Sequence, residues 1–334
     1  AQPLAPAIAH YAFDEVVQGK TPDAQRKDHA ADVPKALALQ EGHAGKAIEW
    51  DGDNGITLPG VPGFGRDDAF SLAFWLWCPD AKERAVVLHT SSYTEDADTQ
   101  GYQVLIEHGR LSWQIVHHWP GSACAIQTAA PLPLQRWLHV AVTYDGSSRA
   151  AGMSIHLDGV RADTAIVRDH LQGPAHVRTL QLGARDRDRG FAGGRLDEFL
   201  VYDRELQAPE IHFLATGVRD ESTAAQAALA KAQDPVVAAA RSKLTAARKE
   251  LHGFVESLPE LMVLAENRTP APRYVLKRGA YDQPDTAQPV EPDAIAKLGP
   301  PLPKGPRTRR ELAAWLTAPD HPLFARVAVN RLWA

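Results

Sequence analysis

The run His117-His118-Trp119-Pro120-Gly121 sets an indole plate beside two imidazoles among turn-forming residues. An exposed indole stacks on the apolar face of a pyranose while polar neighbours hydrogen-bond its hydroxyls, so this run is the first candidate for binding a sugar. Tyr93, in the polar stretch Ser91 to Gln100, is a second aromatic of that kind. Trp119 also has a plainer reading, as the cover of a sheet edge beside a core built from Trp50, Trp75, Trp77, Trp113 and Trp137. Adjacent residues on a strand point to opposite faces, so His117 and His118 are not expected to share a metal. The chain has no His-Glu-x-x-His, no Gly-x-Ser-x-Gly and no Gly-rich phosphate loop. Cys78 and Cys124 are far apart and form no Cys-x-x-Cys-His, so no c-type haem is expected here. The pair is read either as a disulfide or as two buried free thiols. Arg185-Asp-Arg-Asp-Arg-Gly190 reads as a self-paired hairpin tip.

The elements that must position these residues come from a 334-residue chain, 44% hydrophobic and 23% charged, with a formal net charge of −5. That composition belongs to a globular protein, and the length suggests about two domains. No apolar run approaches the roughly 18 residues that span a bilayer. The start lacks a basic segment followed by an apolar one, so the sequence carries no targeting information. Residues 1–217 hold 20 of the 24 glycines and 19 Lys and Arg against 28 Asp and Glu. Residues 218–334 carry 17 Lys and Arg against 13 Asp and Glu, with no concentrated basic face, so nucleic acid is set aside as a partner.

Short β-branched and aromatic runs recur between Gly, Asn and Asp punctuation: residues 8–13, 47–50, 70–77, 85–89, 102–106, 111–117, 137–144, 153–157, 180–182 and 196–202. Several alternate, as in Ser71-Leu-Ala-Phe-Trp-Leu-Trp77, and no helical period interrupts them, which predicts antiparallel sheets packed as a sandwich and excludes a parallel α/β fold. Asn54-Gly55, Asp145-Gly146 and Asp158-Gly159 are expected to turn hairpins.

Three phrases carry a resemblance: Trp137-Leu-His-Val-Ala-Val-Thr-Tyr-Asp145, Ile155-His-Leu-Asp-Gly159 and Gly194-Arg-Leu-Asp-Glu-Phe-Leu-Val-Tyr-Asp-Arg-Glu-Leu206. In that order they resemble the laminin-G-like, concanavalin-A-type jelly roll, and Ala9-His-Tyr-Ala-Phe-Asp-Glu15 and Gly45 to Asp53 extend the match to roughly residues 8–214. The resemblance implies a mainly β, antiparallel jelly-roll sandwich. It also implies a structural Ca²⁺ held by hard oxygen ligands between the first and last strands. Asp14 and Asp197 stand at the matching positions, with Asp51 and Asp53 as alternatives. Glycosidases of this fold line carboxylates along a strand. The nearest echo, Glu49-Trp-Asp51-Gly-Asp53, breaks at a glycine turn, so no catalytic site is expected in this chain.

Beyond residue 206 the pattern becomes helical. Gln207 to Leu214 and Thr223 to Lys231 read as short helices. From Val237 a heptad of apolar or small residues (Val237, Leu244, Leu251 and Leu258, with Ala240, Ala247 and Phe254) predicts a longer one, opened by Asp234 and Pro235. It is expected to pack on the preceding helix as a hairpin, with a dimerising coiled coil as the alternative. Residues 261–306 are Pro-rich and read as extended, followed by helices over Arg309 to Thr317 and from Pro322. Leu261 to Arg268, Tyr274 to Asp282, Glu311 to Leu316 and His321 to Trp333 resemble the opening of the uncharacterised C-terminal domain of large planctomycete-type secreted proteins that also carry a cytochrome-c-like region. The expected parsing is a jelly roll over 1–216, a helical arm over 217–260, the extended segment over 261–306 and, over 307–334, the start of a mostly helical domain cut from something longer. The resemblance implies a secreted, periplasmic or cell-surface protein. The expected function is non-catalytic binding of a glycan or cell-surface ligand, beside the protein's neighbouring domains. The alternatives are a purely architectural sandwich and a glycoside hydrolase.

Overall fold

The computed structural model describes residues 6–26, 28–91, 100–175, 178–259, 271–295, 297–299, 301–302 and 307–333. The chain divides into two compact units, Ala1–Leu258 and Pro259–Ala334.

In the first unit the strands are β1 (Ala9–Tyr11), β2 (Lys20–Thr21), β3 (Ala31–Asp32), β4 (Ala38–Glu41), β5 (Lys46–Glu49), β6 (Ile56–Thr57), β7 (Ala69–Trp77), β8 (Arg84–His89) and β9 (Gly101–Glu107). They continue as β10 (Arg110–His118), β11 (Ser122–Thr128), β12 (Trp137–Asp145), β13 (Met153–Leu157), β14 (Val160–Arg161), β15 (Thr164–His170), β16 (Gln181–Leu182) and β17 (Arg195–Tyr202). An eight-stranded sheet runs β14-β13-β12-β7-β17-β5-β4, with β1 also on β17, and a seven-stranded sheet runs β15-β11-β10-β9-β8-β16-β6. The named pairings in both sheets are antiparallel, as the alternation predicts.

Alternation decides what the sandwich buries. Phe70, Leu72, Phe74 and Leu76 of β7 and Leu138, Val140, Val142 and Tyr144 of β12 meet Tyr102, Val104 and Ile106 of β9 and Leu111, Trp113 and Ile115 of β10 in one core. The Trp113 indole N–H donates to the Thr143 carbonyl at 3.1 Å and so ties the sheets together. Cys78 and Cys124 are buried and free, which settles the alternative left by sequence. Of the three turn dipeptides, Asp158-Gly159 makes a two-residue hairpin between β13 and β14, both residues at positive φ (49° and 80°). Asp145-Gly146 opens a longer return to β13, and Asn54-Gly55 carries the chain from β5 to β6, from one sheet to the other. β11 and β15 are not among the runs expected from sequence: β11 has a single β-branched pair of residues, Ile126 and Thr128, and is made a strand by pairing with β10 and β15, while the β-branched run of β15 is short and lies on an exposed edge.

Helices α1 (Ala208–Thr216), α2 (Thr223–Gln233) and α3 (Pro235–Glu256) follow. α1 lays Ile211, with Leu206, on the outward face of the eight-stranded sheet against Ala73, Ala141 and Tyr202. Its first turn is fixed by buried Glu210, which accepts from the Gln207 N–H and from both terminal nitrogens of Arg204, each at 2.8 Å. α3 starts where the sequence places it, with the Asp234 side chain accepting from the Val236 N–H at 2.8 Å. The apolar heptad expected to be covered by α2 is instead left exposed at Leu244, Leu251 and Phe254, and the polar side of α3 meets the sandwich.

The second unit holds a hairpin of β18 (Arg273–Leu276) and β19 (Pro284–Val290), then α4 (Arg309–Leu316) and α5 (Phe324–Trp333). Part of the segment read as irregular is thus a sheet, because a turn closes two short strands within it. Trp315 is buried with its ring edge-on to His321 at 4.6 Å. Leu261 to Arg268 lie outside the described residues. No helix among the described residues is long and apolar enough to cross a membrane.

Phe74→Ala should lower the unfolding free energy by about 3–5 kcal/mol, because the cavity sits between the sheets. Ile166→Ala on exposed β15 should change it by less than about 0.5 kcal/mol. Urea midpoints at constant m-value check both.

Candidate ligand-binding site

The outward face of the eight-stranded sheet is organised by a break in β17. Register with β7 shifts between Asp197 and Leu200, and Glu198 takes φ 49°. On its other edge β17 pairs with β5 through Arg195 and Leu196, then with β1 through Phe199 to Val201. Asp197 stands at the changeover, fully buried. One carboxylate oxygen accepts from the His43 and Ala44 N–H groups (2.7 and 3.0 Å) of the β4–β5 turn, and the other from the Glu198 N–H (2.8 Å). Burial, helped by the Glu198 carboxylate, pushes the Asp197 carboxyl up to about 6 against the pull of those donors. Asp14 braces the same turn by accepting from the Lys46 N–H at 2.9 Å. At φ +61° Gly45 is the residue that leaves room for it, since a Cβ there would fall 1.9 Å from the Asp14 oxygen.

The turn so held lays the His43 ring flat on Trp75, with centroids 3.4 Å apart and planes 12° off parallel. Burial lowers the His43 pKa and so disfavours the charged form of the stacked ring. Trp75 and Trp77 alternate with Phe74 and Leu76 and therefore point outward, with Trp137 directly across from Trp77. All three indoles are partly exposed. They do not join the core with fully buried Trp50 and Trp113, as composition alone suggests. The strand alternation in Ser71 to Trp77 was the signal that could have placed them. The Trp77 row continues through Arg195 to Glu49 on adjacent strands. Arg195 stands 4.6 Å over the Trp77 ring and is paired with Glu49 at 2.8 Å. Beneath the plates, His139 packs edge-on to Trp75 with its Nδ1 buried and unpartnered, its pKa driven down to about 4 by burial. The half of this face not taken by α1 is therefore an aromatic platform, with a donor and an acceptor along one row.

The other residues named from sequence are dispersed. His117, His118 and Trp119 sit at the β10–β11 end. His117 donates from Nδ1 to the Pro174 carbonyl (2.7 Å) while His118 is exposed, so they do diverge. Trp119 is half-buried under the Arg168 guanidinium, 5.5 Å from its ring. Tyr93 lies outside the described residues. Asp51 closes the turn after β5, accepting from the Asp53 and Asn54 N–H groups (3.0 and 2.8 Å). Burial works against ionisation of Asp51, but these donors keep its pKa below the usual range. Peptide N–H groups thus stand where a cation would have to bind. Asp14, Asp51 and Asp197 are thus engaged by backbone donors, and among the described residues no group of three or more His, Cys, Asp or Glu is arranged to hold a metal.

On the outward face of the seven-stranded sheet, Arg185 to Gly190 is self-paired through Arg185 and Asp188, with Asp186, Arg187 and Arg189 exposed, and is also tied to the strands. Arg185 donates to Gln103 and to Ser91 (3.0 Å), Gln103 to Gln114 (2.7 Å) and Gln114 to Glu107 (3.1 Å). Glu107 pairs with Arg84 (3.0 Å) and Arg84 with Asp188 (2.8 Å), which returns to Arg185 at 2.5 Å. Burial alone would raise the Asp188 carboxyl, but the two guanidiniums hold it at about 2. The closed ring satisfies its members and fixes the loop on the sheet.

Residues 51–212 match the concanavalin A-like lectin/glucanases superfamily. The sandwich has the concanavalin A-like fold. Residues 308–334 match a family described as a protein of unknown function (DUF1553). No curated protein matches the chain. Among solved structures, the chain is similar to the binding domain of Paraclostridial Mosquitocidal Protein 1, at 16% identity over 64% of this chain and 52% of that one, with a TM-score of 0.50. It is also similar to the botulinum neurotoxin serotype G binding domain, at 14% identity over 63% and 50%, with a TM-score of 0.47. The chain spans about half the length of these structures, and at such identity the likeness is one of fold.

Asp197→Asn should cost about 1–3 kcal/mol, because its amide nitrogen must face one of the three buried N–H donors. Folded Asp197 keeps its proton to about pH 6 and the unfolded residue only to 3.8, so its contribution is full below pH 4 and is lost as pH rises to 6. Urea melts from pH 3.5 to 7 should show that decline in the wild type and a flatter profile in the variant.

Proposed function

We propose that the sandwich is a non-catalytic ligand-binding module of a larger exported protein, and that its ligand is a carbohydrate held on the Trp75/Trp77/Trp137 platform. The observation that carries this reading is three partly exposed indoles on one sheet face, of which Trp137 and Trp77 lie in a row that ends in the Arg195–Glu49 pair. Indole faces take the C–H side of a pyranose, and a neutralised Arg–Glu pair offers its hydroxyls both a donor and an acceptor. A fold shared with the binding domain of Paraclostridial Mosquitocidal Protein 1 is in keeping with it. Hydrolysis has less support, since Glu49 is engaged by Arg195 and Asp51 by its own turn. An architectural role is the second reading, favoured by α1, which already covers the other half of the same face.

A glycan array probed with the chain should return binding that falls about ten-fold or more in Trp77→Ala and in Trp137→Ala, as expected for central aromatic anchors. Trp119→Ala should leave it unchanged. No binding on the array, or loss only with Trp119→Ala, would remove the platform from the proposal.

A further inference from the structure

α3 is fastened to the sandwich by charge. Three consecutive residues before β7 meet one helix face: Arg66 pairs with Glu256 (2.6 Å), Asp67 with His252 (2.5 Å) and Asp68 with Lys249 (2.8 Å). Arg248 adds a donor to the Asp145 carbonyl at 3.1 Å. At 100° per residue, the apolar heptad lies about a third of a turn from that face. It stays open to solvent: Leu244 is 50% exposed, Leu251 58% and Phe254 64%. An amphipathic helix whose polar side is docked and whose apolar side is bare is half of an interface.

The order of residues along the seam states what fits it. Run antiparallel against itself, the helix sets Val237 opposite Phe254, Leu244 opposite Ala247 and Leu251 opposite Ala240, a large residue against a smaller one in each layer. The same register brings Lys243 of each helix beside Glu250 of the other, two ion pairs from one two-fold axis. A parallel pair would stack Ala240 and Ala247 on their own copies, leaving two hollow layers, and would set Lys243 against Arg248. In the antiparallel pair Arg241 and Arg248 approach each other across the seam. On the sandwich side Arg248 donates to the Asp145 carbonyl, and the Glu205 carboxylate is near enough to Arg241 to feel its charge.

We propose that the seam of α3 is covered by α3 of a second copy of this chain, antiparallel about a two-fold axis. Sedimentation equilibrium of the full chain near 50 µM should then give twice the 36.4 kDa chain mass. Leu251→Asp, at an exposed position, should give a monomer with unchanged circular dichroism and a melting temperature that no longer depends on protein concentration. Lys243→Glu should weaken the dimer about five-fold, and adding Glu250→Lys should restore it. A monomeric wild type overturns the proposal and leaves the seam to a different partner. A dimer indifferent to both Leu251→Asp and Lys243→Glu overturns it equally, by locating the contact elsewhere.

Discussion

A carboxylate buried among peptide N–H groups holds the outward face of this sandwich together. Where β17 exchanges β5 for β1, the ladder must open, and an opened ladder inside a sheet leaves backbone donors without partners. Asp197 fills that opening from within the strand. The His43 and Ala44 donors it binds belong to the turn that carries the His43 ring onto Trp75, so one side chain sets the β17 bulge, the turn and the edge of the aromatic platform. The cost of burying the carboxylate shows in its raised pKa, and the N–H groups that oppose it are what allow it to sit there.

The two outward faces solve opposite problems. The seven-stranded sheet ties its polar residues into a closed ring, in which each charge is met and the Arg185 loop is immobilised. The eight-stranded sheet gives half its outward face to α1 and leaves the other half as indole surface. A face already satisfied by its own groups has little left to offer a ligand, whereas one with partly exposed aromatic area does.

Much of the architecture was legible because it is local. Alternation marked the long strands, Asp158-Gly159 marked a hairpin by its need for two positive φ values, and Asp234-Pro235 marked the start of α3. What was not legible depends on partners distant in sequence. Asn54-Gly55 looks like a hairpin turn until its two strands are seen in different sheets. Asp197 stood out as a functional carboxylate, but its partners are peptide groups, which no side-chain pattern announces. Trp75 and Trp77 were within reach of the alternation rule and were lost to the average tendency of tryptophan to be buried.

The charge-docked arm has a mechanical consequence. Its contacts with the loop before β7 lie in series along one helix face, at Glu256, His252 and Lys249. Tension applied to the chain just past the end of α3 would load them one after another, as a peel, while strands β7 and β12 share any shear along their whole paired length. The arm therefore yields before the β7–β12 pairing, so the aromatic face on those strands keeps its shape while the arm peels.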